Sequence, residues 1–259
     1  MKTLATYNIK GGVGKTASAI NLAYLAARDG RRVLLWDLDP QGAASYLLRV
    51  RPRVKGGAKA LVRGKRPLEE AVKITEFDGL DLVPADFTYR NLDLVLDESK
   101  KPTQRIARLL GTMADDYDLV FLDCAPGISL VSENVVNAAG TLLVPLIPTT
   151  LSVRTLEQLS EFVGELDHPP SLFPFITMAD GRKRLHREVI DDLRSHRDDL
   201  ATTVIPALSQ VEQMAVHRAP LPVFAPRSRV TKRYEELWAE VSSRLGSGRG
   251  GRARGPGRR

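Results

Sequence analysis

Residues 8–16 read Asn8-Ile9-Lys10-Gly11-Gly12-Val13-Gly14-Lys15-Thr16, between a short apolar run at 4–7 and a helix-forming stretch at 17–28. A glycine-rich turn leading from a strand into a helix is where backbone N–H groups converge on a phosphate. Glycine suits such a turn because the backbone must wrap closely and visit positive φ. Lys15 is placed to reach the β- and γ-phosphates of a nucleotide, and Thr16 to offer its hydroxyl to Mg²⁺.

The usual spacing of this motif, G-x-x-x-x-G-K-[ST], is not met, because Ile9 stands where the first glycine belongs. A second lysine, Lys10, opens the loop instead. Two further segments carry acids at the ends of apolar runs. Residues 32–36 lead into Asp37-Leu38-Asp39-Pro40-Gln41-Gly42, and residues 118–127 read Asp118-Leu119-Val120-Phe121-Leu122-Asp123-Cys124-Ala125-Pro126-Gly127. Carboxylates at the carboxyl ends of parallel strands lie in the crevice where open α/β sheets bind ligands. Asp37, Asp39 and Asp123 are therefore candidates, with Thr16, for holding Mg²⁺ through its waters. Asp39 can also orient an attacking water, and Gly127 can let the loop after Asp123 respond to the γ-phosphate.

Apolar strands alternate with amphipathic stretches along most of the 259 residues. The strands are too continuously apolar to be half exposed, which predicts an α/β fold: a mostly parallel sheet with helices on both faces. Strands are expected near 80–84, 141–147, 172–178 and 204–206. Helices are expected near 57–62, 88–96, 103–113, 151–166, 183–196, 211–217 and 231–245, with a helical turn near 67–72. Residues 1–245 form a single expected domain, and residues 246–259, rich in Gly and Arg, an expected disordered tail.

The formal charge of +7 is unevenly spread. Residues 49–66 hold eight basic side chains and no acid, residues 246–259 hold five arginines and no acid, and the remainder carries an excess of six acids. Residues 49–67 read as a mobile loop around one short helix. Confined basicity is the footprint of a polyanion partner. A single cysteine, Cys124, excludes a disulfide framework and a cysteine-built zinc site, and four scattered histidines show no metal-ligand spacing. No apolar run approaches the ~20 residues of a membrane span, and no signal peptide is apparent, so a cytoplasmic protein is expected.

Taken together, Lys10 to Thr16, the Asp37–Gln41 pattern and the run ending in Asp123 resemble the deviant Walker A ATPases of the ParA/MinD family over residues 2–243. The resemblance implies ATP and Mg²⁺ as cofactors, with Lys10, Gly11, Gly12, Val13, Gly14, Lys15, Thr16 and Ala17 at the phosphates. It implies that Lys10 crosses a homodimer interface to the partner's nucleotide, and that Asp39 serves hydrolysis. Ile205 and Pro206 resemble positions that enclose the adenine. It further implies an ATP-state homodimer that binds DNA without sequence preference and is released by a ParB-like or cargo-adaptor activator. Arg227, Arg229, Lys232 and Arg233 are the candidates for that nucleoid-associated contact. Where family members often have Asp-x-Pro-Pro, this chain has Asp123-Cys124-Ala125-Pro126. One misplaced cysteine argues against the nitrogenase iron protein, and a tail without tyrosine argues against the bacterial tyrosine kinases. A Gly/Arg-rich end lacks the apolar face of a MinD-like membrane helix. A small-molecule ligase of the dethiobiotin-synthetase kind is the alternative from another functional class.

Overall fold

The computed structural model describes residues 1–247. Eight strands form one sheet: β1 (Lys2–Thr6), β2 (Val33–Asp37), β3 (Lys73–Ile74), β4 (Leu80–Val83), β5 (Leu119–Asp123), β6 (Thr141–Leu146), β7 (Ser171–Ala179) and β8 (Val204–Pro206). Their spatial order is β3-β4-β2-β5-β1-β6-β7-β8, and every pairing is parallel except that of β3 with β4. The chain first builds outward on one side of β1 and then reverses to β6 on the other. That reversal opens the crevice at the carboxyl ends of β1, β2 and β5.

The helices are α1 (Lys15–Arg28), α2 (Ala43–Leu47), α3 (Gly57–Val62), α4 (Leu92–Asp97), α5 (Arg105–Gly111), α6 (Leu130–Ala138), α7 (Thr150–Gly164), α8 (Arg184–His196), α9 (Ser209–His217), α10 (Leu221–Phe224) and α11 (Arg229–Ser247). They cover both faces. Successive strand residues point to opposite sides, so Val33 and Leu35 join one core with α1 and α11 while Leu34 and Trp36 join the other with α3 to α7. Helix α1 lies close on the sheet because Ala19, Ala23 and Ala26 are small, and it buries Ile20 and Leu22 completely. Each such large apolar side chain contributes roughly 1.5–3 kcal/mol. Helix α11 buries Tyr234, Leu237, Trp238 and Val241 at helical spacing, and the Trp238 indole N–H donates to Asp29 at 2.6 Å.

Several expectations are corrected. Residues 49–67 do not form a loose loop around α3: Val54, Ala58, Leu61 and Val62 are buried in the core. The stretch at 88–96 is two elements, a 3₁₀ turn (Phe87–Asn91) and then α4, because the Asp86 side chain caps the turn by accepting from the Thr88 N–H. Helices α2, α6 and α10 and the edge strand β3 had no counterpart in the sequence reading. Helix α11 continues through Gly246 and Ser247, two residues expected in the tail. The rest of that expected tail, 248–259, lies outside the described residues.

Candidate functional site

The turn after β1 is held from three sides. Asn8, buried, donates through Nδ2 to the Pro145 carbonyl at 2.9 Å and accepts the Lys10 N–H at 2.8 Å. The Thr177 hydroxyl donates to the Val13 carbonyl at 2.9 Å. The Gly127 N–H donates to the Ile9 carbonyl at 3.0 Å, and the Tyr7 hydroxyl donates to the Gly127 carbonyl at 2.9 Å. Strands β6 and β7 and the loop after β5 thus fix the turn's backbone before any ligand arrives. Gly14, at φ 87°, is the N-cap of α1, and no acid lies in that helix's first turn. The helix therefore presents free N–H groups and the positive end of its dipole to the crevice, a site for an anion.

Lys15 is 7% exposed. Its Nζ donates to the Lys10 carbonyl at 2.8 Å and the Asn8 carbonyl at 3.3 Å. Burial lowers its pKa, while the nearby Asp123 carboxylate opposes that shift. The Lys10 side chain, by contrast, is half-buried and has no partner among the described residues.

Asp37 and Asp123 are register partners on β2 and β5, both fully buried. Burial raises both carboxyls; the Asp39 charge adds to the rise at Asp37, and the Asp37 and Asp39 charges add to it at Asp123, against hydrogen bonds that oppose the shift. Their environments differ. Asp37 accepts the Ser45 N–H at 2.8 Å, the Ser45 hydroxyl at 2.7 Å and the Asp39 N–H at 3.3 Å. Both its oxygens accept hydrogen bonds, and these anchor the turn after β2. Asp123 keeps Oδ2 buried without a hydrogen-bond partner, and the Thr16 hydroxyl lies within its reach. An orphaned buried carboxylate oxygen is costly unless a cation meets it. Thr16 and Asp123 therefore fit a hard divalent cation beside phosphate oxygens. Among the described residues no three His, Cys, Asp or Glu side chains gather as a metal cage. Asp39 is half-buried and spends one oxygen on the Gln41 N–H at 2.9 Å.

The structure thus brings together Lys10, Gly11, Gly12, Val13, Gly14, Lys15, Thr16, Ala17, Asp39 and Asp123. Of the pair read as enclosing the adenine, the Ile205 side chain is 2% exposed inside the core and Pro206 is partly accessible at the end of β8. Arg227, Arg229 and Lys232 are exposed at the start of α11, but Arg233 is paired with Glu236. The tethers Asn8, Thr177 and Tyr7 escaped the sequence reading. Only Asn8 had a signal, a polar residue directly before the turn.

The model of the AAA_31 family, described as an AAA domain, matches residues 1–171. The chain is 29% identical over 249 residues to the sporulation initiation inhibitor protein Soj of Bacillus subtilis, covering 93% of this chain and 98% of that one. It is 31% identical over 255 residues to the chromosome partitioning protein ParA of Caulobacter vibrioides, covering 94% and 95%. Among solved structures, the Mycobacterium smegmatis cobyrinic acid a,c-diamide synthase with bound ATP analogue and magnesium superposes with a TM-score of 0.80 at 25% identity, over 96% of this chain and 97% of that one. The cell division ATPase MinD of Pyrococcus furiosus shares the fold, with a TM-score of 0.78 at 20% identity over 93% and 98%. ATP and Mg²⁺ are the cofactors that this turn, Thr16 and Asp123 fit. With these matches spanning most of its length, the chain belongs to the AAA_31 family and so to the ParA/MinD superfamily of P-loop ATPases.

Proposed function

We propose that this protein is a ParA-type positioning ATPase that dimerises on ATP, holds DNA without sequence preference in that state, and is released when an activator stimulates hydrolysis to ADP and phosphate. The observation that carries the reading is Lys10, a second lysine on the phosphate turn: Asn8 fixes its backbone N–H, while the Lys10 side chain has no partner among the described residues. A cation so placed serves a phosphate presented from outside the subunit. The partitioning relatives support the same reading.

In this cycle the turn's N–H groups and Lys15 bind the triphosphate, and Thr16 and Asp123 hold Mg²⁺, which supplies charge neutralisation at the phosphates. Asp39 orients the attacking water, and Lys10 completes the partner's site. Closure brings basic groups of two subunits onto one duplex. Affinity for DNA falls by about 0.9 log units per phosphate contact for each log unit of salt, so doubling the contacts makes retention switch-like. Exposed Arg227, Arg229 and Lys232 are contacts in this scheme, with Arg233 contributing once Glu236 yields it. The activator is a ParB-like or cargo-adaptor protein, and the site of action is the nucleoid in the cytoplasm.

Gel shifts on duplex of arbitrary sequence test the reading. Wild type is expected to retain DNA with ATP and not without it, and Lys15→Ala to lose that difference. Equal retention by Lys15→Ala and wild type in both conditions refutes the switch. The likeness to a diamide synthase sustains a second reading, an ATP-dependent small-molecule ligase. ATP consumption that requires an added small acid or amine decides for that one.

A further inference from the structure

The eight basic side chains of residues 49–66 play no part in the nucleotide site, and the structure divides them. Arg49 pairs with Glu76, Arg63 with Glu98 and Arg66 with Glu70. Arg51, Arg53 and Lys55 are exposed and form no salt bridge among the described residues. With exposed Lys73 from edge strand β3 they line one open depression of about 650 Å³. Among the described residues the one acid on its wall is Asp86, buried, bonded by the Val54 and Thr88 N–H groups and the Thr88 hydroxyl, and near enough to Arg53 to feel its charge.

The backbone beneath these cations is packed. Val54 and Ala58 are buried, the Val54 N–H donates to Asp86 at 2.8 Å, and the Ala58 N–H donates to the Thr88 hydroxyl at 2.8 Å. Pro52 lies so close to Gly42 that a Cβ there would meet it at 3.3 Å. The depression therefore sits at the carboxyl ends of β2 and β4, the same end of the sheet as the phosphate turn. Cations displayed on a fixed backbone lose less entropy on binding than those of a loose segment. Its wall holds no aromatic side chain on which an unpaired base could stack, and no glycine-rich turn ahead of a long helix to enclose a single phosphate. What remains is point charge for an extended phosphate backbone.

We infer that Arg51, Arg53, Lys55 and Lys73 form a second contact for the phosphate backbone of duplex DNA, separate from the start of α11. This inference rests on the DNA-retaining ATP state proposed above.

The test is fluorescence anisotropy of a labelled duplex of arbitrary sequence, titrated with the full chain in Mg²⁺ and a slowly hydrolysed ATP analogue at several salt concentrations. The fourfold variant Arg51→Gln, Arg53→Gln, Lys55→Gln, Lys73→Gln is expected to shallow the slope of log affinity against log salt by up to ~3.6 per subunit, at about 0.9 per lost contact. Replacing Arg51 and Arg53 by lysine keeps the charge and is expected to keep the slope. A fourfold variant that melts like wild type and binds with the wild-type slope overturns the second contact alone. So does a double-lysine variant that loses the slope, since the effect would then not be one of charge. Wild type that binds no duplex with or without nucleotide overturns both this contact and the proposed function.

Discussion

Lys10 and Lys15 lie on one turn and differ in what their ammonium groups meet. Lys15 already spends its ammonium on two carbonyls of that turn, where a phosphate would compete for it. Lys15→Ala is expected to weaken ATP binding by about 10–100-fold, the worth of a charge-assisted hydrogen bond of ~1.5–3 kcal/mol, measurable by calorimetry. Lys10→Ala is expected to leave binding by a single subunit within a few-fold and to weaken the dimer. Asp39→Ala is expected to bind nucleotide normally and to slow single-turnover hydrolysis by about 10²–10⁴-fold, the range for a positioned acid–base group. A wild-type rate excludes that role. Asp86 gives a pH dependence. Burial raises its carboxyl, but the Thr88 hydroxyl and the Val54 and Thr88 N–H groups outweigh burial and hold it below the ordinary 3.8. Its contribution is therefore complete above that ordinary value and lost as pH falls through the depressed one. Asp86→Ala is expected to cost roughly 1–3 kcal/mol at neutral pH, by denaturant unfolding, with the gap to wild type narrowing in acid.

At the scale of elements, α3 shows how composition alone misleads. Its surroundings are rich in Arg, Lys, Gly and Pro, yet the segment is docked by four buried apolar residues that the charge run obscures. Gly57, at φ 62°, sits where a Cβ would stand 2.6 Å from the Thr88 hydroxyl oxygen. Gly57→Ala is expected to destabilise the protein by about 1–3 kcal/mol, seen as a lower denaturant midpoint, through backbone strain and the lost dock. An unchanged midpoint would mean the segment is free. The parallel strands were legible because their apolar runs are uninterrupted, and the phosphate turn because its glycines and lysines are contiguous. Helix α6 was not, because its start rests on a reciprocal cap between Ser129 and Ser132 rather than on a strong periodic face. Strand β3, two residues long with both side chains exposed, has no pattern to read. The tethers on the turn were hidden for another reason: Asn8 and Thr177 reach partners 137 and 164 residues away, and only the folded sheet brings them together.

The whole molecule is a single sheet whose carboxyl edge gathers the phosphate turn, the orphaned Asp123 oxygen, an unpaired Lys10 and a packed basic platform. In the proposed cycle, a subunit whose Lys10 side chain has no partner among the described residues, and which carries two regions of exposed basic charge on an otherwise acidic protein, is half of an assembly. Closure of two such halves around two triphosphates is, in that proposed cycle, the step on which DNA retention depends. It is tested most directly by the mass in solution, from light scattering, with Mg²⁺ and a slowly hydrolysed ATP analogue bound. The prediction is twice the 28.5 kDa of the chain for wild type and a return toward 28.5 kDa for Lys10→Ala. Wild type that remains at 28.5 kDa with nucleotide demonstrably bound would contradict it.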